Sequence, residues 1–166
     1  MQLSAKTANE VSFTQATIDD LNYVTEKTLL LHEFETHNQP AKLQTNQQFE
    51  SQIKEWMKLE LLNPSSLIFL LHLNDKIVGF AFLKISDIPN EFTEHVRYGV
   101  LQSIWVDEAY RKLALGRQTV SFVESIFREQ GIQYYEVNYT STNQVACEFW
   151  DSCGLKETSV TARKFL

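Results

Sequence analysis

The residues with the clearest chemical meaning lie in the segment AYRKLALGRQTV, residues 109–120. Arg111, Lys112 and Arg117 place cations around Gly116, just before a segment with helical periodicity. The first N–H groups of a helix have no partner within it, and the helix dipole favours an anion there. This combination is typical of a phosphate or pyrophosphate site. An ordinary helix start with solvated basic side chains would contain the same residues, so both interpretations stay open on this segment alone.

A second candidate segment, NQVACEFWDSCGL, covers residues 143–155. Asn143 is a good N-cap, because its side-chain oxygen can accept a hydrogen bond from the first helical turn. Phe149 and Cys153 recur at helical spacing, which indicates one buried face of a helix. The spacing of Cys147 and Cys153 matches neither a zinc site nor a redox CxxC pair. We interpret both cysteines as small apolar residues of this helix rather than as acyl-accepting thiols.

Composition and charge exclude several classes of protein. The chain has 166 residues, which suits one domain, and a formal net charge of −6. Without a basic patch, an acidic chain is poorly suited to bind nucleic acid. The apolar run over 67–73 is too short to span a membrane, and the N-terminus lacks the apolar core of a signal peptide. The histidines are scattered, so we expect no metal site. Together these observations predict a cytoplasmic protein without a nucleic-acid or membrane site.

Hydrophobic periodicity predicts one α/β domain over 11–166, preceded by a flexible polar arm over 1–10. The predicted element order is βααβββαβαβ. Strands are expected over 11–16, 67–73, 77–85, 98–106, 133–139 and 155–165, and helical faces over 21–34, 49–61, 115–126 and 143–153.

Turn and cap residues support these boundaries. Asn74 and Asp75 separate two strand-like segments and tolerate the positive φ angles of a tight hairpin turn. Thr17 is a credible N-cap for the first helix. Gly131 suits the left-handed position that ends the third helix.

In this element order, the two candidate segments resemble those of the GNAT superfamily of acyl-CoA-dependent N-acyltransferases. The phosphate loop of that family follows the fourth strand and has the pattern R/Q-x-x-G-x-G/A, which Arg111, Ala114 and Gly116 match in position. The preceding IWVDEAYRK is similar to the family's apolar-V-x-P-x-Y-R-G, with Val106 and Tyr110 in register. The later family pattern, N-x-x-A-x-x-F-Y-x-x-x-G-F, is matched by Asn143, Ala146, Phe149, Trp150, Gly154 and Leu155.

The resemblance implies a GNAT-like single domain. Its central sheet would be mixed but mostly antiparallel, with the fourth and fifth strands splayed apart and helices on both faces. The pantetheine arm of acetyl-CoA would lie between those strands, and its pyrophosphate on the loop. The expected cofactor-binding residues are Ile104, Trp105, Val106, Arg111, Lys112, Leu113, Ala114, Leu115, Gly116, Arg117, Asn143, Ala146 and Phe149.

Three departures from the family pattern concern the chemistry. Ala114 and Lys112 replace glycines, which serve for close approach or unusual φ angles. Trp150 stands where the family often has a tyrosine that protonates the leaving thiolate, and an indole N–H is not acidic. Gln102 stands where a strand glutamate often acts as base, and glutamine cannot take up a proton at neutral pH.

The catalytic candidates therefore include residues outside the two motifs. Gln102 and Trp150 occupy the family's catalytic positions, Tyr139 is a candidate acid and Glu33 a candidate base. Each has a simpler interpretation as a packing or surface residue. Further candidate bases, with the same alternative, are His32, Glu35, Glu94 and His95.

The resemblance implies an N-acetyltransferase in which a primary amine attacks acetyl-CoA directly in a ternary complex. The acceptor is expected to be a small or peptide-borne primary amine. Acidic residues in segments that would flank it (Glu33, Glu35, Asp87, Glu91 and Glu94) favour a cationic acceptor such as a polyamine or an aminoglycoside. One alternative is a non-catalytic acyl-CoA-binding or protein-interaction module, which the departures at the catalytic positions motivate. Another is a lost cofactor site. Exposed edge strands are compatible with a homodimer.

Overall fold

The computed structural model describes residues 10–37, 43–87, 92 and 97–166. Five strands form one sheet in the order β1-β2-β3-β4-β5; neighbours are antiparallel except β4 and β5, which are parallel. The strands are β1 (Val11–Gln15), β2 (Ser66–Leu73), β3 (Lys76–Asp87), β4 (Arg97–Val106) and β5 (Tyr135–Glu136). The helices are α1 (Leu21–Thr36), α2 (Phe49–Leu62), α3 (Leu115–Glu129) and α4 (Gln144–Ser152).

Helices cover both faces of the sheet, because the side chains of a strand alternate between its faces. Phe80 and Phe82 of β3 are buried in a cluster with residues of α1 and α2. Ala81 and Leu83, the alternate residues, are buried against α3 and α4. The predicted α/β fold, with a mixed sheet between two helical layers, is confirmed.

The turn chemistry predicted from sequence is largely confirmed. Asn74 and Asp75 adopt φ angles of 49° and 64°, as a tight hairpin turn requires. Gly131 follows α3 with a φ angle of 71°. Thr17 precedes a single 3-10 turn, and α1 begins only at Leu21.

Two of the strand predictions are wrong: one strand is shorter than predicted, and the other does not form. The fifth strand, predicted over 133–139, is reduced to Tyr135–Glu136, because only these residues pair with β4. The sixth, predicted over 155–165, is not a strand, and its residues beyond Leu155 are exposed. A strand needs a neighbour whose backbone groups it can pair with, and so short a β5 offers almost none.

Most of the predicted arm (1–9) and loop residues 88–91 and 93–96 lie outside the described residues, and so do the candidate bases Glu94 and His95.

A buried carboxylate ties α2 to the sheet. Glu60 accepts hydrogen bonds from Trp56 Nε1 at 3.0 Å, from Lys84 Nζ at 2.7 Å and from the Ser66 hydroxyl. Burial acts to raise the pKa of Glu60, but the hydrogen bonds from Lys84 and Ser66 outweigh it and lower that pKa. The charged carboxylate is therefore part of the folded structure.

Replacing Glu60 with glutamine is expected to lower the free energy of unfolding by about 3 kcal/mol, because a partly buried Lys84 loses its counter-charge. Urea unfolding would measure the loss, with Glu55→Gln as an exposed control. A carboxyl whose pKa is lowered by folding stabilises the protein above its unfolded pKa, and this is lost as pH falls through the folded pKa. The difference between the wild type and Glu60→Gln should therefore shrink in strong acid. A difference independent of pH would contradict this account.

Candidate active site

The site begins where β4 and β5 separate. The two strands pair only at Gly99–Tyr135 and Val100–Glu136. On the other side of β4, a bulge interrupts the pairing with β3: Leu101 and Ser103 face consecutive β3 residues, so Gln102 is the extra residue. Bulges bend a strand and redirect its side chains. Beyond these pairs the strands diverge, and a cavity of about 510 Å³, which we call the first cavity, lies between residues 101–106 and 137–139.

Most residues predicted from sequence line this first cavity. Of the catalytic candidates, Gln102, Tyr139 and Trp150 line it, whereas Glu33 is exposed on α1 and does not. Leu113 is the one predicted cofactor residue that does not line it. The other predicted residues that do are Ile104, Trp105, Val106, Arg111, Lys112, Ala114, Leu115, Gly116, Arg117, Asn143, Ala146 and Phe149.

The loop before α3 has the backbone geometry that glycine would favour, although glycine is absent from its critical positions. Lys112 has a φ angle of 67°, and Ala114, the N-cap of α3, one of 58°. A left-handed conformation costs an ordinary residue about 1–2 kcal/mol. The unusual φ angle that explains glycine at such positions is thus adopted here by residues with a Cβ.

Replacing Ala114 with glycine should therefore stabilise the protein. Relief of the left-handed strain is partly offset by the greater freedom of glycine in the unfolded chain, so we expect a net gain of about 0.5–1 kcal/mol. Ala109→Gly is the matched control, because Ala109 lies in the nearby 3-10 turn and has no positive φ angle. Ala109→Gly should destabilise the protein. Thermal unfolding measures both, and a loss of stability in Ala114→Gly would contradict the strain argument.

Arg111 is held at the edge of the first cavity by aromatic rings. Its guanidinium carbon lies 4.7 Å from the ring centroid of Trp105 and 5.5 Å from that of Phe34. Its Nε donates a hydrogen bond to the Val106 carbonyl at 2.9 Å. Cation–π contacts of this kind favour one orientation of the guanidinium. The basic side chain is thus preorganised, and the contact with Phe34 of α1 was not predicted from sequence.

A salt bridge behind Trp105 fixes this arrangement. The indole N–H of Trp105 donates to Asp107 at 3.0 Å, and Asp107 pairs with Lys27 of α1 at 3.0 Å. Burial acts to lower the pKa of Lys27, but its hydrogen bonds to Asp107 and Glu26 raise it. Lys27 and Asp107 are 80 positions apart in the chain, so sequence spacing carried no signal of this contact.

The opposite wall comes from α4. Asn143 is the N-cap of that helix, since its Oδ1 accepts a hydrogen bond from the Ala146 N–H at 3.2 Å. Asn143 therefore makes the contact expected of a helix cap, which is its simpler interpretation. The same residue also lines the first cavity. A Cβ added to Gly116 would lie 3.0 Å from the Phe149 ring, so α3 and α4 approach closely there.

Of the candidate proton donors Tyr139 and Trp150, only Tyr139 carries a hydroxyl group that can release a proton. Burial, with Glu157 and Cys147, raises the pKa of the Tyr139 phenol, so it is protonated at neutral pH. The buried indole of Trp150 can donate a hydrogen bond but not a proton. Burial also raises the pKa of Cys153, which keeps it a thiol and agrees with its interpretation as a packing residue.

A second cavity, of about 370 Å³, adjoins the first. The residues that line both are Leu31, Glu35, Leu101, Gln102, Ser103, Asn138 and Tyr139. The second cavity is also lined by His32, so two of the candidate bases, His32 and Glu35, face this region. The walls of the second cavity that the first does not share are Thr28, His32, Phe49, Ile53, Trp56 and Val100.

The described residues contain no group of three or more histidine, cysteine, aspartate or glutamate side chains arranged to hold a metal ion. None of the helices in the described ranges has the length and apolar character needed to cross a membrane.

Comparisons with known proteins agree with this geometry. The sequence matches the model of the Acetyltransferase (GNAT) family over residues 29–155. No curated protein sequence matches it significantly.

Several solved structures share the fold. A structure of the aminoglycoside N-acetyltransferase AAC(6')-Iy in complex with CoA is 13% identical, with a TM-score of 0.72, over 97% of this chain and 99% of that one. The BH1408 protein from Bacillus halodurans is 17% identical, with a TM-score of 0.82, over 93% and 99%. A GCN5-related N-acetyltransferase from Ralstonia eutropha JMP134 is 16% identical, with a TM-score of 0.74, over 94% and 99%.

Proposed function

Because this chain belongs to the GNAT family of acetyltransferases, we propose that it transfers the acetyl group of acetyl-CoA to a primary amine by direct attack in a ternary complex. One observation carries the proposal: the first cavity, open between β4 and β5, ends at the N-terminus of α3 beside Arg111, Lys112 and Arg117. An elongated thioester with an anionic end fits a cavity of this shape and charge.

The phosphate end is the most specific part of this fit. The N–H groups of the first turn of α3 have no partner in that helix and favour an anion. Left-handed residues such as Lys112 and Ala114, set among ordinary ones, turn successive N–H groups towards one concave site. Arg111 adds a planar cation suited to phosphate oxygens. These groups support a pyrophosphate site at this end of the first cavity.

The junction of the two cavities supports a site at which the acetyl thioester and the acceptor amine meet. The ammonium of the acceptor must lose a proton before its nitrogen can attack the acetyl carbonyl carbon. The C–N bond then forms, the C–S bond breaks, the nitrogen releases a further proton, and the sulfur leaves as a thiol after taking one up. We assign proton uptake to Glu35 or His32 and proton donation to Tyr139, because these side chains line this junction or the adjoining cavity.

Gln102 lies at the same junction with a different capability. It lines both cavities and can orient a substrate by hydrogen bonds, but it cannot act as a base. Positioning of the two reactants supplies a large part of the acceleration of such a bimolecular step. The proposal therefore does not need a carboxylate at position 102.

Calorimetric titration with acetyl-CoA and with CoA, followed by a screen of primary amines for thiol release, tests the proposal. We expect micromolar binding and a release of thiol that requires both the amine and the protein. Binding without turnover of any amine would favour the non-catalytic acyl-CoA-binding module, which Trp150 and Gln102 motivate. No binding at high micromolar concentration would overturn the proposal.

A further inference from the structure

We infer that the acceptor is a singly charged primary amine with a flat apolar body, and not a polyamine or an aminoglycoside. This inference rests on the proposed function, and it concerns what the second cavity recognises. Three features of the second cavity carry it: its charge, the rigidity of its aromatic walls and its junction with the first cavity.

The described lining of the second cavity offers one negative charge. Among the described residues that line it, Glu35 is the single carboxylate, and the same is true of the first cavity. Charged groups taken out of water are costly unless they are paired. One ammonium can pair with Glu35, but the further ammonium groups of a polycation would face apolar walls on one side and Arg111, Lys112 and Arg117 on the other.

The remaining walls favour an aromatic or otherwise flat group. Phe49, Ile53 and Trp56 come from α2, and Tyr139 from the segment after β5. Aromatic pairs gain energy from offset or edge-to-face contacts beyond the area they bury. A volume of about 370 Å³ is sufficient for a single ring with a short side chain.

These aromatic walls are held in place by other contacts. The Trp56 N–H donates to the buried Glu60 at 3.0 Å, and its ring packs against Phe82 with centroids 5.7 Å apart. The Phe49 ring lies 4.5 Å from the His32 ring. A wall that is fixed before binding loses little conformational entropy when a ligand packs against it, and this favours a rigid apolar ligand.

The position of Glu35 fixes the direction of binding. Because Glu35 lines both cavities, an ammonium paired with it lies where they meet, and the apolar body extends into the second cavity between Phe49 and Trp56. The charged group that is recognised is then also the amine that reacts. In a singly charged amine, one nitrogen both pairs with Glu35 and reacts with the acetyl group.

The test compares phenethylamine, a monocation with one ring, with spermidine, a polycation. Two readouts are used: equilibrium binding to the CoA-saturated protein by calorimetry, and kcat/KM for thiol release from acetyl-CoA. We expect phenethylamine to bind and to be acetylated with a kcat/KM at least about tenfold above that of spermidine. Glu35→Gln should weaken phenethylamine binding about tenfold or more, as expected for a lost contact to a charged group.

Matched variants separate recognition from a general loss of structure. Glu50→Gln makes the same charge change at an exposed position of α2 that lines neither cavity, and should leave binding unchanged. Phe49→Ala should raise the KM for phenethylamine more than that for methylamine, which lacks the ring. A purely structural effect would change both amines alike.

The outcomes distinguish this inference from the proposed function. Acetylation of spermidine in preference to phenethylamine would overturn the inference and keep the N-acetyltransferase. Phenethylamine binding that depends on Glu35, without acetylation, would support the inference and count against the proposed reaction. Phenethylamine binding that is absent, or unchanged in Glu35→Gln, would overturn the inference.

Discussion

Arg111→Ala is expected to weaken acetyl-CoA binding by about 30-fold, measured as the calorimetric Kd. A hydrogen bond to a charged group contributes about 1.5–3 kcal/mol, and 1.4 kcal/mol is a factor of ten in affinity. Trp105 and Phe34 hold the guanidinium in one orientation, so little conformational entropy is lost when it contacts a phosphate. The loss should shrink at high salt, because part of it is electrostatic.

Two further variants make this prediction specific. Arg128→Ala removes the same charge near the C-terminal end of α3, where Arg128 is largely exposed and pairs with Glu124, and should leave the Kd unchanged. Arg111→Lys keeps the charge but loses the planar stacking, and should give an intermediate Kd. Equal affinity of the wild type and Arg111→Ala would show that the pyrophosphate does not bind at this end of the first cavity.

Gly79→Ala is expected to destabilise the protein by about 4 kcal/mol or more, which puts it among the largest single-residue effects. A Cβ added to Gly79 would lie 2.2 Å from the backbone oxygen of Trp105. Backbone cannot rotate out of the way as a flexible side chain can, so β3 and β4 would have to separate. Gly79 pairs with Val106, so the disturbance falls on the strand end that carries the Arg111 contact.

Gly131→Ala is the matched control for this substitution. Gly131 has a φ angle of 71°, but nothing lies within 4 Å of an added Cβ. Gly131→Ala should therefore destabilise the protein only by the cost of a left-handed alanine, about 1–2 kcal/mol. At about 2–4 °C per kcal/mol for a chain of this size, thermal unfolding separates the two variants easily. Similar losses in both would contradict the close approach of β3 and β4 as the cause.

The local features of this protein were predictable from sequence because their causes are local. The hairpin at Asn74–Asp75 depends on two residues that tolerate positive φ angles, and both adopt them. The strand-like segments of β2 and β3 and the apolar face of α3 reflect the periods of strand and helix. The basic loop before α3 was likewise recognisable, since cations and a helix start adjoin in the chain.

Where the strands end was not predictable in the same way. The alternating pattern over 133–139 is that of a strand, yet pairing stops after Glu136 because β5 diverges from β4. The segment over 155–165 was also predicted as a strand, yet it pairs with none of the described strands, and its residues beyond Leu155 are exposed. A strand is defined by hydrogen bonds to a neighbour, and whether that neighbour is present depends on the packing of the whole sheet.

The sequence by itself determined the fold class, the order of most elements and the loop that could hold a phosphate. The tertiary structure decided which side chains of α1 face the site: Glu35 lines it and Glu33, two positions earlier, does not. Two residues are about 200° apart around a helix, so the choice depends on how α1 docks on the sheet. The same docking brings Phe34 to Arg111 and Lys27 to Asp107. Contacts between residues distant in the chain follow from packing, which no local pattern encodes.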